Sequence, residues 1–238
     1  MPGKFTFYSQ NIDDQFIVLD EAEARHAVQV LRFQVGDQIE VSDGLGKKYE
    51  ARIVEIQKRS LKAEILSFSD YKRSRVHLAI GILKNSDRME WLIEKCTELG
   101  CASIGFLETK NSERSKVNLD RLHKTAISAM KQSHGAWIPK IELIDWRSLF
   151  SGDVFSGDFN SRYIAYCDLE DGISVKDHPH ALIDQKGEVL ICIGPEGDFT
   201  ADEFKQAINQ GFRSLSLGDS ILRAETAAIT ACAWANWV

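Results

Sequence analysis

The sequence of 238 residues lacks several features that mark particular classes of protein. It has no C-x-x-C pair among its five cysteines, which mostly lie inside apolar runs, so neither a zinc site nor a disulfide framework is expected. No apolar run approaches the roughly 18 residues that a membrane-spanning helix requires, and no apolar segment of the secretory type stands near the first residue. These absences predict a cytoplasmic protein that binds no metal and enters no membrane.

An overall excess of positive charge is also missing. The formal net charge of −6 at pH 7 at first argues against a nucleic-acid partner. The acidity is confined to one region, however, because the net charge is 0 over residues 1–75, +2 over 76–150 and −8 over 151–238. Residues 57–75 carry a local charge of +4 and residues 109–141 a local charge of +5. Either stretch alone fits a solvated surface, whereas both on one face would bind a polyanion.

Short strands are predicted throughout the first part of the chain. One short helix is expected to begin near Asp20 and to interrupt them. Strands this closely spaced predict a small β-barrel. The segment 69–75 has no periodicity and marks the predicted domain boundary. The predicted strands are residues 5–8, 16–19, 38–41, 49–56 and 61–68.

After this boundary the pattern alternates between strands and helices. Asp87, followed by Glu90, is expected to cap the first helix, and Gly100 to end it. Thr200 and Glu203 form a capping box for a later helix. Alternating units of this kind predict a parallel sheet with a ligand site at the carboxyl ends of its strands. The predicted strands are 76–83, 103–107, 141–144, 163–167, 189–193 and 213–217, and the predicted helices are 87–99, 119–133, 200–211 and 225–237.

Two loops at the ends of predicted strands contain most of the functional signal. The first is Gly194-Pro195-Glu196-Gly197-Asp198-Phe199, between an apolar strand and the capped helix. Its glycines let the backbone approach a ligand closely, and its proline stiffens the turn. Ordinary strand-to-helix turns use the same residues, so this loop alone does not decide between the two interpretations.

The second loop, residues 217–227, lies between the last strand and the last helix. Ile221 and Leu222 precede Arg223, Glu225 and Thr226 at a helix N-terminus, where backbone N–H groups are available to a ligand. Apolar residues in a polar loop can form one wall of a pocket for a flat heterocycle. The alternative is a plain helix start, in which Glu225 complements the helix dipole and the Ile-Leu pair covers the core.

Together the two loops resemble the C-terminal signature of the RsmE family, bacterial 16S rRNA uridine-N3 methyltransferases of the SPOUT class. The resemblance extends over the whole chain, and its motifs occur in the family's order. The matching loop segments are Ile193-Gly194-Pro195-Glu196-Gly197 and Leu217-Gly218-x-x-Ile221-Leu222-Arg223-x-Glu225-Thr226-Ala227. The other three motifs are Arg25-His26-Ala27-Val28-Gln29-Val30-Leu31-Arg32, Asp43-Gly44-Leu45-Gly46 and Lys95-Cys96-Thr97-Glu98-Leu99-Gly100.

The resemblance implies an α/β protein of two domains. Residues 1–72 would form a PUA-like β-barrel that binds RNA. Residues 73–238 would form a SPOUT methyltransferase domain with a parallel sheet and a trefoil knot at about 190–238. The resemblance also implies S-adenosylmethionine as cofactor, S-adenosylhomocysteine as product, a homodimer, and 16S rRNA or the small ribosomal subunit as partner.

The resemblance further implies which residues act. Methylation of uridine N3 replaces a proton, so close positioning and a proton acceptor are both required. Glu225 and Glu196 are the candidate bases, and the sequence does not choose between them; Arg223 is expected to hold a phosphate or to stabilise negative charge on the uracil. The expected cofactor-binding residues are Gly194, Glu196, Gly197, Leu217, Gly218, Ile221, Leu222 and Thr226. The expected RNA-binding residues are Arg25, His26, Arg32, Lys84, Arg88, Lys95, Arg114, Lys124 and Lys131.

The chain departs from the family pattern at two places. Asp198 stands where the family usually has a second glycine, which bears on how closely the loop approaches the cofactor. The segment Lys131-Gln132-Ser133-His134-Gly135 stands where the family usually has Glu-Gln-x-x-Arg. Lys131, His134 or Trp137 would then replace an arginine contact to RNA or to the facing subunit.

Two other functions compete with this interpretation. SPOUT relatives that methylate the ribose 2′-oxygen share an early Asn-x-Gly-x-x-x-Arg motif, which residues 81–88 do not supply. The second competitor is a catalytically silent RNA-binding or ribosome-assembly module, for which the departure at residues 131–135 is the best indication.

Overall fold

The computed structural model describes residues 5–112, 116–151, 154–156, 159–167, 173–174 and 187–237. The chain divides into two compact units. The first comprises residues 1–73 together with 127–138, and the second comprises residues 74–126 and 139–238. The inclusion of residues 127–138 in the first unit is a feature that the linear sequence pattern does not reveal.

The first unit contains a five-stranded sheet in the order β1-β3-β4-β5-β2. Strands β1 and β3 are parallel, and the remaining neighbours are antiparallel. Helix α1 (Glu21–Arg25) begins at Asp20, whose carboxylate accepts the Glu23 N–H at 2.9 Å, and a π-helical turn at His26–Val30 follows it. The strands are β1 (Thr6–Tyr8), β2 (Phe16–Leu19), β3 (Gln38–Ser42), β4 (Lys47–Ile56) and β5 (Leu61–Asp70).

The two edge strands of this sheet share one core. Phe7 of β1 and Ile17 of β2 are buried in the same apolar cluster. Just after β1, the Ser9 hydroxyl donates to the Val18 carbonyl of β2 at 2.7 Å. The edges are therefore close to each other, in agreement with the predicted small barrel.

The second unit contains a seven-stranded sheet in the order β10-β12-β9-β11-β6-β7-β8. Every neighbouring pair is parallel, as the alternating sequence pattern predicts. The strands are β6 (Val76–Gly81), β7 (Ser103–Glu108), β8 (Lys140–Asp145), β9 (Phe159–Ala165), β10 (Ile173–Ser174), β11 (Glu188–Ile193) and β12 (Arg213–Ser216). The remaining α-helices among the described residues are α2 (Ser86–Glu98), α3 (Leu119–Gln132), α4 (Ser148–Ser151), α5 (Ala201–Asn209) and α6 (Ala224–Trp237).

Most predicted helix boundaries are confirmed, with one correction. The capping box of α5 is present, with the Thr200 N–H donating to Glu203 Oε2 at 2.8 Å. Gly100 follows α2 with a φ of 78°, a left-handed conformation typical of a helix end. The cap of α2 is Asn85, not Asp87, because the extended Asn85 accepts the Asp87 N–H at 2.7 Å and Asp87 lies in the first turn.

Candidate active site

A cleft opens at the carboxyl ends of β9, β11 and β12. Its volume is about 330 Å³, and it is lined by residues 165–167, 193–195 with Asp198, and 215–222, together with Ala227 of α6. Neighbouring parallel strands end at the same edge of a sheet, and the loops that follow them converge there. The cleft therefore lies where the alternating sequence pattern predicts a ligand site.

The loop after β11 is fastened by a residue that does not line the cleft. Gly194 and Pro195 are buried at the end of the strand. The side-chain amide of Asn111 donates to the carbonyl oxygens of Gly197 at 2.9 Å and Asp198 at 3.1 Å. These bonds hold the turn in one conformation and so fix this wall of the cleft.

The loop after β12 supplies an apolar wall. Gly218 has a φ of 126°, a conformation that is strained for other residues, and it turns the chain away from the strand. Ile221 is 84% exposed, while Leu222 is half-buried. A large apolar side chain exposed at a cleft is typical of a ligand-binding surface.

Five of the eight predicted cofactor-binding residues line this cleft. They are Gly194, Leu217, Gly218, Ile221 and Leu222. Glu196, Gly197 and Thr226 do not line it. A role for all eight in binding a cofactor stays a prediction.

Beside the loop after β11, Arg88, Glu196 and Glu225 form a charged cluster. Arg88 Nε lies 3.6 Å from Glu225 Oε1, and Arg88 Nη1 lies 3.8 Å from Glu196 Oε1. The two candidate bases therefore share one guanidinium. An open pocket of about 560 Å³, lined by Lys84, Asn85, Ser86, Arg88 and Glu196, adjoins this cluster.

The two glutamates of the cluster differ in environment. Glu225 is only 4% exposed, and its Oε2 is buried without a hydrogen-bond partner among the described residues. Glu196 is more open, with a side chain 36% exposed, and the Lys84 N–H points at its two oxygens at 3.1 and 3.3 Å. Glu225 thus has one acceptor oxygen that receives no hydrogen bond from the described part of the chain.

The third predicted catalytic residue, Arg223, is exposed immediately before α6. Its carbonyl oxygen accepts the Ala227 N–H at 2.8 Å, so its backbone belongs to the first turn of the helix. Within the part of the chain that the structure describes, no group of three His, Cys, Asp or Glu side chains is arranged to hold a metal ion. None of the described helices is both long and apolar enough to cross a membrane.

Comparison with known proteins identifies the family. A sequence model of the RNA methyltransferase domain matches residues 70–236, and a model of the RNA methyltransferase PUA domain matches residues 19–66. Ribosomal RNA small subunit methyltransferase E of Rickettsia conorii is 33% identical over 207 residues, which are 86% of this chain and 82% of that protein. The chain belongs to the RsmE family of RNA methyltransferases.

Solved structures agree with this membership. A probable rRNA methyltransferase of Porphyromonas gingivalis is 36% identical, with a TM-score of 0.86 over 97% of this chain and 96% of that one. Ribosomal RNA small subunit methyltransferase E of Neisseria gonorrhoeae, solved with S-adenosyl methionine bound, is 29% identical, with a TM-score of 0.80 over 97% and 95% of the two chains. The N-terminal unit is accordingly PUA-like, and the second unit is a methyltransferase domain.

Several basic residues predicted to bind RNA in this RsmE-family chain have acidic partners. Lys95 Nζ contacts Glu94 at 2.7 Å and Glu98 at 3.0 Å, and hydrogen bonds first to Glu94 and then to Glu98 raise the pKa of Lys95. In the first unit, Arg25 pairs with Glu21 at 3.0 Å and Lys131 pairs with Glu23. RNA binding by these three side chains would have to compete with the ion pairs.

The other predicted RNA-binding residues vary in exposure. Lys84 and Arg88 line the open pocket beside the charged cluster. Arg32, with a φ of 61°, and Lys124 are exposed, whereas His26 is half-buried against the edge of Phe7. Arg114 lies outside the described residues.

Residues at the second departure from the family pattern have partners within the first unit. His134 Nδ1 lies 2.8 Å from the Thr6 hydroxyl, and the His134 carbonyl oxygen accepts Lys48 Nζ at 3.2 Å. The Trp137 indole N–H donates to the Tyr71 carbonyl oxygen at 2.8 Å. These contacts give both side chains a role in holding the first unit together.

Two residues of the cleft wall lie outside the loops that the sequence pattern singles out. Tyr166 and Cys167 line the cleft, but the pattern assigned them to a strand at 163–167. The observed strand is Phe159–Ala165. Its start does not form an apolar run, because residues Asn160–Arg162 are polar. Cys167 is exposed, whereas the other four cysteines are buried, and burial raises the pKa of one of those, Cys192.

Proposed function

We propose that this chain transfers a methyl group from S-adenosylmethionine to N3 of a specific uridine in 16S ribosomal RNA. The observation that carries the proposal is the adjacency of two features of the second unit: a cleft at the strand ends and a charged cluster beside it. The relatives named ribosomal RNA small subunit methyltransferase E support the choice of RNA.

The cleft has the chemistry that the methyl donor requires. The donor carries a flat purine, which suits the apolar wall of Ile221 and Leu222. It also carries a cationic sulfur, which makes the attached methyl group electrophilic. Asp198 and Asp219 line the cleft, and no lysine or arginine occurs among its described lining residues. A negatively lined pocket favours a cation over a neutral molecule of the same shape. The Neisseria gonorrhoeae relative, solved with S-adenosyl methionine bound, supports S-adenosylmethionine as the ligand.

We assign the proton acceptor to Glu225. An acceptor for the N3 proton needs a carboxylate oxygen that no other donor occupies. Glu225 Oε2 has no hydrogen-bond partner among the described residues, and because it is buried, binding of the RNA must open a path to it. Both oxygens of Glu196 face the Lys84 N–H, so Glu196 holds the backbone at the start of α2. Arg88 keeps the two carboxylates in place, and Arg223, exposed at the start of α6, stabilises negative charge on the uracil oxygens.

The proposal includes the domain roles and the knot. Residues 1–72 would bind RNA and residues 73–238 would carry out the transfer, with the chain knotted at about 190–238. The path of the chain supports a knot, because β12 lies beyond β9 from β11, and α6 then packs back against α2, β6 and β11. The end of the chain thus crosses the middle of the sheet after leaving β12.

The proposal also includes a homodimer that works in the cytoplasm, where its ribosomal substrate is found. Trp91 of α2 is 44% exposed and Trp237 of α6 is 76% exposed, on two helices that pack against each other. Exposed tryptophans of this kind are enriched at protein interfaces. Light scattering of the purified protein should give twice the chain mass of 26.8 kDa.

Nucleoside mass spectrometry of 16S rRNA from a deletion strain tests the proposed activity. Loss of 3-methyluridine, and its recovery when the wild-type gene but not the Arg223→Ala gene is restored, is the expected result. Intact 3-methyluridine in the deletion strain would overturn the proposal, and loss of a ribose-methylated nucleoside instead would identify a 2′-oxygen methyltransferase.

A further inference from the structure

We propose that Asp198 is a positioning residue of the cleft, whose carboxylate ties the segment after β9 to the loop after β11. This contact would keep Tyr166 and Cys167 where they form one wall of the donor site. The inference rests on the proposed function only in naming S-adenosylmethionine as the occupant of the cleft.

The Asp198 carboxylate bridges two neighbouring strand ends. Its Oδ2 accepts the backbone N–H of Cys167, just after β9, at 2.9 Å. Its Oδ1 accepts the N–H of Phe199, the next residue in its own loop, at 2.7 Å. Hydrogen bonds to an ionised acceptor are stronger than those between neutral groups, so one side chain joins segments 31 residues apart in the sequence.

The carboxylate also lies directly against the first residue of the loop after β11. A Cβ atom on Gly194 would stand 2.6 Å from Asp198 Oδ1 and 2.9 Å from Asp198 Cα, closer than real Cβ contacts allow. Tyr166, Cys167, Gly194 and Asp198 all line the cleft. Asp198 therefore contacts both the segment after β9 and the start of the loop after β11, where these two parts of the cleft wall meet.

The backbone conformation of Asp198 indicates that its side chain is not needed to form the turn. Its φ is 56°, in the left-handed region that glycine adopts with less strain than aspartate. The turn itself therefore does not require a carboxylate. The substitution Asp198→Gly removes both side-chain hydrogen bonds and at the same time relieves the backbone strain. If the side chain serves only the local turn, its removal leaves the distant Cys167 segment unaffected.

Three variants of the full-length protein test the inference. Asp198→Gly removes both acceptors, and Asp198→Asn keeps one acceptor oxygen. Asp202→Asn is the matched control, because Asp202 is a highly exposed carboxylate in the nearby helix α5. Each variant is compared with wild type by hydrogen exchange of the peptide that contains Cys167, by calorimetric titration with S-adenosylmethionine, and by thermal unfolding.

The inference predicts different outcomes for the three measurements. In Asp198→Gly, exchange at the Cys167 amide should become about tenfold faster and the Kd for S-adenosylmethionine about tenfold weaker, as expected when a charged hydrogen bond is lost. The Tm should stay near the wild-type value, because the relief of backbone strain at a left-handed position offsets the lost contacts. In Asp198→Asn, the exchange rate and the Kd should lie between those of wild type and Asp198→Gly. In Asp202→Asn, both should match wild type.

Wild-type exchange at Cys167 in Asp198→Gly would overturn the inference, as would an increase in exchange spread evenly over the second unit. The proposed function fails separately, if the wild-type protein does not bind S-adenosylmethionine. In that case the exchange measurement, made without ligand, still decides whether Asp198 holds the Cys167 segment.

Discussion

The cleft and the charged cluster are neighbours in the second unit, but they consist of different chemical groups. The cleft is formed by backbone turns and by apolar side chains such as Ile221, with carboxylates as its described charged lining residues. The charged cluster has a guanidinium, Arg88, between two carboxylates, one of which is almost fully buried. A backbone-lined cleft is suited to binding a ligand by shape, whereas a compact group of charges is suited to moving a proton.

This difference predicts that binding and transfer can be separated by substitution. Changes in the cleft should weaken the binding of the methyl donor. Changes in the charged cluster and at Arg223 should reduce methyl transfer while the donor still binds. Four predictions test this separation, in order of decreasing effect.

Replacement of Arg223 should have the largest effect. Arg223→Ala should lower the rate of methyl transfer by about 10²–10³-fold, the usual loss when a group that stabilises developing charge is removed. The Kd for S-adenosylmethionine should change by less than about twofold, because no charged partner of the donor is lost. Arg213→Ala, at an exposed arginine that begins β12, is the control. Equal losses of binding and transfer would refute the separation.

The two glutamates should differ in importance. Glu225→Gln keeps the shape of the side chain but cannot accept the proton, and it should slow transfer by about 10²-fold. Glu196→Gln should slow it by less than about tenfold, since an amide oxygen can still accept from the Lys84 N–H. Single-turnover rates at saturating S-adenosylmethionine measure the loss of transfer in both variants. A greater loss in Glu196→Gln would assign the base to Glu196 instead.

Removal of Arg88 should affect stability as well as transfer. Arg88→Ala leaves the buried Glu225 carboxylate without its cation, which should lower the free energy of unfolding by about 2 kcal/mol. The double variant Arg88→Ala/Glu225→Gln should recover part of this loss, because the buried group is then neutral. Urea unfolding curves provide the comparison. If the double variant is less stable than Arg88→Ala, the pairing of Arg88 with Glu225 is not the source of the effect.

The apolar wall should give the smallest effect. Ile221→Ala should weaken S-adenosylmethionine binding by about fivefold, through the loss of apolar area that the bound donor would cover. The Tm should not change, because Ile221 is 84% exposed in the chain without ligand. Val30→Ala, at a valine of the first unit that is 66% exposed, should change neither quantity. Wild-type affinity in Ile221→Ala would exclude this side chain from the donor site.

Much of the fold follows from the sequence, because strands in a parallel sheet are continuous apolar runs and the helices have clear end signals. The runs at β6 and β11 and the capping box of α5 are of this kind. The start of β9 cannot be predicted from the sequence, because Asn160, Ser161 and Arg162 interrupt its apolar pattern. Residues 127–138 belong with the first unit through contacts distant in sequence, which no local pattern encodes.

The site was predictable to a similar degree. The two loops could be found because glycine, proline and exposed apolar residues at strand ends have distinctive patterns, and five predicted residues line the cleft. The pairing of Arg88 with both glutamates could not be found, because it joins α2, the loop after β11 and α6 across more than 100 residues of sequence. For the same reason, the sequence predicts Arg88 at the RNA and not at the carboxylates.

The most direct test of the account uses purified protein, S-adenosylmethionine labelled in its methyl group, and small ribosomal subunits from a strain that lacks this gene. The RNA is digested to nucleosides after the reaction, and the labelled product is identified by chromatography. The account predicts label in 3-methyluridine with the wild-type protein, and label that accumulates about 10²–10³-fold more slowly with Arg223→Ala although that variant binds the donor. Label in a ribose-methylated nucleoside, or no label with the wild-type protein, would contradict it.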